Sequence, residues 1–193
     1  MTGTTRAPRD PGWVYLDTNV LIDLADVFNG WRPPPEPDNS DRQRIAAARI
    51  FFYGYQGRSD WYPVVSAEGR RELTACGAPD WTLPMFLDVD ETSDAPSPDV
   101  TAERAAQFRS TIPSLKEPDS LHLARADLRP WIGYFVSNDR KLRNAAGRAG
   151  LRAGLEVIDA PEAEARLGIQ PGERPSLAPA NGSPLAQDLW WIP

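Results

Sequence analysis

The chain has 193 residues, a formal charge of −6 and a sequence pI near 4.9. That length suits one domain with some decoration, and the acidic balance excludes a global basic field of the kind that draws nucleic acid, leaving local patches or bound cations to attract phosphate. One cysteine, Cys76, excludes an intramolecular disulfide and a cysteine zinc cluster, and one histidine, His122, excludes multi-histidine metal sites.

Lys116 and Lys141 are the only lysines among 21 basic residues. Arginine's planar fork suits phosphate, but a compositional bias of the source explains the excess better. Residues 1–12 are polar, read as a flexible lead-in, and lack the apolar core of a signal peptide. No apolar run is long enough to span a bilayer, so a cytoplasmic protein without membrane contact is expected.

The first predicted strand is Trp13–Asp17, followed at once by a helix from Asn19 to about Phe28 with Val20, Leu21 and Leu24 on one face. Prolines at 33, 34, 35 and 37 forbid regular structure over 30–37. A helix from Asp41 to about Tyr55 follows, with Ser40 or Asp41 as its N-cap and Ile45, Ala48 and Phe52 on one face. Trp61–Val65 reads as a strand, Ser66 as an N-cap, and 67–76 as a helix stopped before Gly77. Residues 78–98 are turn-rich, and Met85–Val89 fits either a brief strand or a helix start.

Ser97-Pro98-Asp99 opens a helix to about Thr111, and Pro118 opens another that Pro130 ends. Trp131–Val136 is a second clear strand. Asp139–Ala149 reads as a helix closed by Gly150, Leu155–Ile158 as a last strand and Pro161–Leu167 as a last helix. The tail 169–193 is rich in Pro, Gly, Ala and Ser, and its Leu189-Trp190-Trp191-Ile192 could dock on a surface. Strands alternating with helices predict an α/β fold with a mostly parallel central sheet.

Four acids sit at comparable punctuation points. Asp17 and Asp139 each stand between a strand and a helix, so parallel strands would deliver both to one sheet edge, where open α/β sheets bind ligands. Asp119 begins a helix and Glu72 lies about two turns into another. Each alone reads as a cap, turn former or solvated charge, Asp17 least so, because it interrupts an apolar run. Together in a cleft they would repel unless protons or cations lay between them. Hard oxygen donors imply Mg²⁺ or Mn²⁺, which suits hydrolysis of a phosphodiester.

Leu16-Asp17-Thr18-Asn19-Val20-Leu21-Ile22 resembles the opening motif of the PIN-domain family of metal-dependent ribonucleases. Ser66 to Leu73, Asp119 to Ala126 and Phe135 to Leu142 resemble its second, third and fourth motifs, in the same order and at similar spacing across about 13–168. The resemblance implies a Rossmann-like α/β/α sandwich in which Asp17, Glu72, Asp119 and Asp139 bind Mg²⁺ or Mn²⁺ and catalyse RNA hydrolysis. Asn19 and Ser137 would orient these ligands through hydrogen bonds. Glu68 competes with Glu72, which is preferred because Leu73 follows it. Many relatives are toxins of the VapC type, so an antitoxin protein and a homodimer are the implied partners beside RNA. The proline-rich segment 30–40 and the tail 169–193 exceed a minimal toxin.

Arg140, Lys141 and Arg143 follow Asp139 closely and are candidates to grip RNA backbone, as are Arg148 and Arg152; a solvated helix face accounts for them equally well. His122, one turn beyond Asp119, reads as structural or solvated rather than as a phosphate contact. Trp190 and Trp191 read as a hydrophobic anchor rather than base-stacking groups. Two other functions remain in view. A phosphatase of the haloacid-dehalogenase type also starts from a strand-borne aspartate, but needs a second aspartate where Asn19 stands. A non-catalytic binding module would keep the fold and use the extra segments to recruit a protein or RNA partner.

Overall fold

The structure, a computed structural model, describes residues 12–55, 61–170 and 190–192. Residues 1–11 of the expected flexible lead-in and most of the tail therefore lie outside the described residues. Five strands form one parallel sheet: β1 (Trp13–Leu16), β2 (Pro63–Val65), β3 (Leu87–Asp88), β4 (Ile132–Val136) and β5 (Glu156–Ile158). Their order is β3-β2-β1-β4-β5. Seven α-helices connect and flank them: α1 (Thr18–Phe28), α2 (Asn39–Tyr55), α3 (Ala67–Ala75), α4 (Pro98–Thr111), α5 (Glu117–Asp127), α6 (Arg140–Ala146) and α7 (Ala160–Arg166).

The pleat of β1 explains the two layers. Val14 and Leu16 point to one face, where they pack with residues of α1, α2 and α7. Tyr15 points to the other, where α4, α5 and α6 supply Phe108, Leu123 and Leu142. Alternate side chains of a strand necessarily face opposite ways, and here both faces are covered, as parallel sheets require. The result is an α/β/α sandwich with β1 at its centre.

The strand order also locates the functional edge. From β1 the chain winds outward through β2 and β3, then returns to lay β4 on the other side of β1 and winds outward to β5. The order reverses between β1 and β4, so the crevice beyond their carboxyl ends is the switch point where such sheets bind ligands. Asp17 follows β1, and Ser137-Asn138-Asp139 follows β4.

Several boundaries differ from expectation. The second helix is capped by Asp38 rather than Ser40 or Asp41: Asp38 Oδ1 accepts from the Asp41 amide at 2.9 Å, and Asp41 returns a bond to the Asp38 amide at 3.1 Å. This is a reciprocal capping box. The region 78–98 holds two short 3₁₀ segments, Asp80–Met85 and Val89–Glu91, around the two-residue β3. The helix expected over 139–149 stops at Ala146, and 147–149 form a turn in which Ala149 stays buried.

Residues 30–37 are irregular, as their prolines require, yet they are not isolated. Trp31 meets Trp190 edge-on, 5.4 Å between ring centroids, and carries the Arg44 guanidinium over its face. Trp191 is buried against Phe52, and its carbonyl accepts from Arg49 Nε at 3.0 Å. Trp191 is thus the hydrophobic anchor expected of the tail, seated on α2. Within α2, Gly54 faces the Trp61 ring so closely that a Cβ there would collide with it.

Candidate active site

Asp17 is the residue the edge is built around. It stands at the N-cap of α1 with extended backbone (φ −76°, ψ 158°), and its amide donates to the Val136 carbonyl at 3.0 Å, continuing the β1–β4 ladder. Its carbonyl begins the helix by accepting from the amides of Val20 and Leu21. Its carboxylate makes no cap bond to the helix. An N-cap aspartate normally uses its side chain that way; this one keeps it for the crevice.

The carboxylate is only 2% exposed. Burial pushes its pKa up, opposed by His122, the Ser137 hydroxyl and the Thr18 amide, and Asp119 raises it further. Asn19 Nδ2 donates to Asp17 Oδ2 at 2.5 Å and to Ser137 Oγ at 3.1 Å. Asn19 Oδ1 in turn accepts from the Asn138 amide at 2.6 Å. Asn19 therefore ties the end of β1 to the end of β4, and its side chain is fixed at both ends. Ser137 is fully buried and also accepts from the Asp139 amide at 3.2 Å.

Asp139 caps α6, with Oδ1 accepting from the amides of Lys141 at 2.7 Å and Leu142 at 3.4 Å. Its helix-cap reading is thus realised at one oxygen, while the other has no hydrogen-bond partner among the described residues. Asp119, in the first turn of α5, is half-buried. Its pKa is raised by burial and then by Asp139, while Lys116 and His122 pull it down. Glu72, on α3, accepts from Thr18 Oγ1 at 2.5 Å, so the residue after Asp17 links it to the second acidic position. Glu68 is committed elsewhere, pairing with Arg71 at 3.3 Å and Arg125 at 2.8 Å.

Several acids elsewhere in the fold are neutralised by arginine. Asp127 pairs with Arg104, Asp90 with Arg125 and Arg129, and Asp23 and Asp26 with Arg44. Among the described residues, no Lys or Arg makes an ion pair with Asp17, Glu72, Asp119 or Asp139. The four do not yet form a coordination shell: among the described residues, no three His, Cys, Asp or Glu side chains close around one point. The electrostatic links run pairwise, from Asp17 to Asp119 and from Asp119 to Asp139. Their carboxylate oxygens are hard donors of the kind that divalent Mg²⁺ or Mn²⁺ takes, but in this arrangement they stand in pairs and not as a closed shell.

Of the polar residues beneath these acids, His122 was read from sequence as structural or solvated, whereas Tyr15 and Thr18 were given no role. His122 is buried, turned into the sheet rather than toward phosphate. Its Nδ1 lies 2.7 Å from the Tyr15 hydroxyl and 3.5 Å from Ser66 Oγ, and its Nε2 lies 3.4 Å from Thr18 Oγ1. Tyr15 is wholly buried, and burial pushes its phenol far up. A phenol that keeps its proton donates to Nδ1, which leaves Nε2 carrying hydrogen toward Thr18. Thr18 can then direct its own proton at Glu72. A hydroxyl in an apolar strand, Tyr15, was the available signal for this layer.

The candidate phosphate grips divide. Arg143 Nη1 donates to the Ser137 carbonyl at 2.7 Å and its guanidinium pairs with Asp159 at 3.4 Å, so it braces the loop beneath the acids. Arg152 donates to the carbonyls of Arg129 and Ile132 and is likewise structural. Lys141 and Arg148 line a cavity of about 380 Å³ together with Lys116, Asp119 and Asp139. Arg140 is exposed and lies outside that lining. Comparison with protein-family models, curated proteins and solved structures finds no match. Among the described residues, no helix is long and apolar enough to cross a membrane.

Proposed function

We propose that this chain is a Mg²⁺- or Mn²⁺-dependent endoribonuclease of the PIN-domain type, acting in the cytoplasm. The observation that carries the reading is Asp17: a buried carboxylate without a Lys or Arg ion pair among the described residues, held by Asn19 at the switch point of a parallel sheet, with Asp119 close enough to raise its charge cost and Asp139 acting in the same way on Asp119. Burying such a group is unfavourable unless something positive joins it. Sites that carry function are where this kind of cost is tolerated.

Asp17, Glu72, Asp119 and Asp139 would hold the ion. When bound, it would supply Lewis-acid polarisation of the phosphodiester and a more acidic water. Asn19 and Ser137 orient Asp17, and the Ser137 hydroxyl also fixes the turn that carries Asp139. Thr18 orients Glu72, and His122 stands behind Thr18. Partners that position metal ligands in this way are typically worth 10- to 100-fold in affinity or activity. An antitoxin protein and a homodimer are carried by the sequence resemblance alone.

The test is cleavage of total RNA by the purified chain in Mn²⁺, beside EDTA and Asp17→Asn controls. Fragments that disappear in both controls support the nuclease. Absence of cleavage together with absence of any metal-induced thermal shift would overturn it in favour of a binding module.

A further inference from the structure

The cavity beside Asp119 and Asp139 has a composition that the acids do not explain. Both lysines of the chain line it, with Arg148. All three are exposed, and none makes an ion pair with a described residue. Most other arginines among the described residues, by contrast, are engaged in side-chain hydrogen bonds, as Arg44 is with Asp26, Arg104 with Asp127 and Arg166 with Glu162. In a chain of net charge −6, three cations without ion pairs beside the carboxylates of Asp119 and Asp139 give this lining a net positive charge. The floor between them is apolar, built from the buried side chains of Leu115, Leu142 and Ala145.

We propose that this cavity is a binding site for one unpaired nucleotide of a single-stranded RNA, its phosphate held by Lys116 and Lys141 and its sugar or base laid on the Leu115–Leu142–Ala145 floor. The ligand's identity as RNA rests on the nuclease reading; the recognition chemistry does not. Lysine ammoniums are point charges on flexible stems, able to converge on one phosphate. A volume of about 380 Å³ falls at the small end of ligand sites. A base can lie on that apolar floor only once it has left its own stack, so the nucleotide that enters must be unpaired. Because Asp119 and Asp139 line the same space, the bound nucleotide neighbours the bond presented to the acids.

The test uses the full chain in EDTA, so that neither metal nor turnover is needed. Amine acetylation is followed by peptide mass spectrometry, with and without a saturating short single-stranded RNA of mixed sequence, and with a duplex of the same length. The expected result is slowing of acetylation at both lysines by the single strand and not by the duplex. Binding by the Lys116→Gln/Lys141→Gln variant should be at least tenfold weaker. Its salt slope should fall by about 0.7, the share of one phosphate on a single strand. Arg42→Gln, at an exposed arginine on α2, should bind as the parent does.

Equal acetylation rates with and without the single strand would overturn the proposal, as would unchanged affinity in the double variant. Equal protection by the duplex would overturn its single-stranded part. The labelling needs no variant, so it remains decisive even if the substitutions disturb folding. Protected lysines with no Mn²⁺-dependent cleavage would sink the nuclease reading alone. Cleavage that requires Asp17 but leaves both lysines unprotected would sink the cavity alone.

Discussion

Asp17→Asn should make the metal-free protein more stable. The substitution keeps shape and removes a charge from a site that is 2% exposed and lacks a cationic partner. An uncompensated buried ion costs several kcal/mol after relaxation, and the hydrogen bond from Asn19 returns about 1.5–3 kcal/mol as a bond to a charged acceptor. Asparagine retains about 1 kcal/mol of that bond if its oxygen faces Asn19. The balance favours the variant by about 1–3 kcal/mol. At this chain length each kcal/mol moves the melting temperature by about 2–4 °C, so a rise of roughly 2–12 °C is expected in EDTA.

The pH dependence carries the sign. Burial raises the Asp17 pKa above its ordinary 3.8, so the folded state holds that proton more tightly than the unfolded one. Its favourable contribution is complete below 3.8 and is lost as pH rises through the folded value. The gap between variant and parent should therefore open with rising pH and level off above the folded value. Saturating Mn²⁺ should reverse the order: at 100 times the dissociation constant the parent gains about 2.7 kcal/mol, and the variant gains little. Scanning calorimetry from pH 4 to 8, with EDTA or Mn²⁺, reads all of this. A variant less stable than the parent in EDTA, with no Mn²⁺ effect on either, would refute the reasoning.

Three further outcomes are expected. Glu72→Gln should abolish Mn²⁺-dependent RNA cleavage, whereas Glu68→Gln should keep it and lose no more than about 1 kcal/mol in urea denaturation, since its ion pairs are partly exposed; the reverse pattern would transfer the metal site to Glu68. Thr18→Val should lower kcat about 10- to 100-fold by releasing Glu72, with Thr18→Ser restoring most of it; equal rates in both variants would remove Thr18 from the site. Gly54→Ala should destabilise by about 1–3 kcal/mol through collision with Trp61; a neutral result in urea titration would mean the ring moves at no cost.

The parts legible in the sequence were those whose cause is local. Val14 to Leu16 and Ile132 to Val136 are apolar runs with punctuation, and the strands they form lie side by side at the centre. Asp17 announced itself by breaking such a run. β3 was legible only as one of two readings of Met85–Val89, because its two residues acquire strand character from pairing with Val64 and Val65. The early end of α6 was hidden because Ala149 remains buried in a turn, and apolar spacing alone cannot separate the two. Arg143 was grouped with Arg140 and Lys141 by adjacency; its commitment depends on Asp159, a residue from beyond another strand. The Tyr15–His122–Thr18 layer was likewise invisible, since His122 stands more than 100 residues from the other two until the sheet closes.

The seating of Trp191 on Phe52 has a consequence in time. A polypeptide emerges from the ribosome at about 5–20 residues per second, so the patch on α2 waits roughly 7–28 s after its own synthesis for the ring that covers it. Throughout that interval Phe52 and its neighbours are open to any other apolar surface nearby. The nascent chain is thus expected to be a chaperone client on that face, and its period of greatest aggregation risk is set by the distance in sequence between α2 and residue 191.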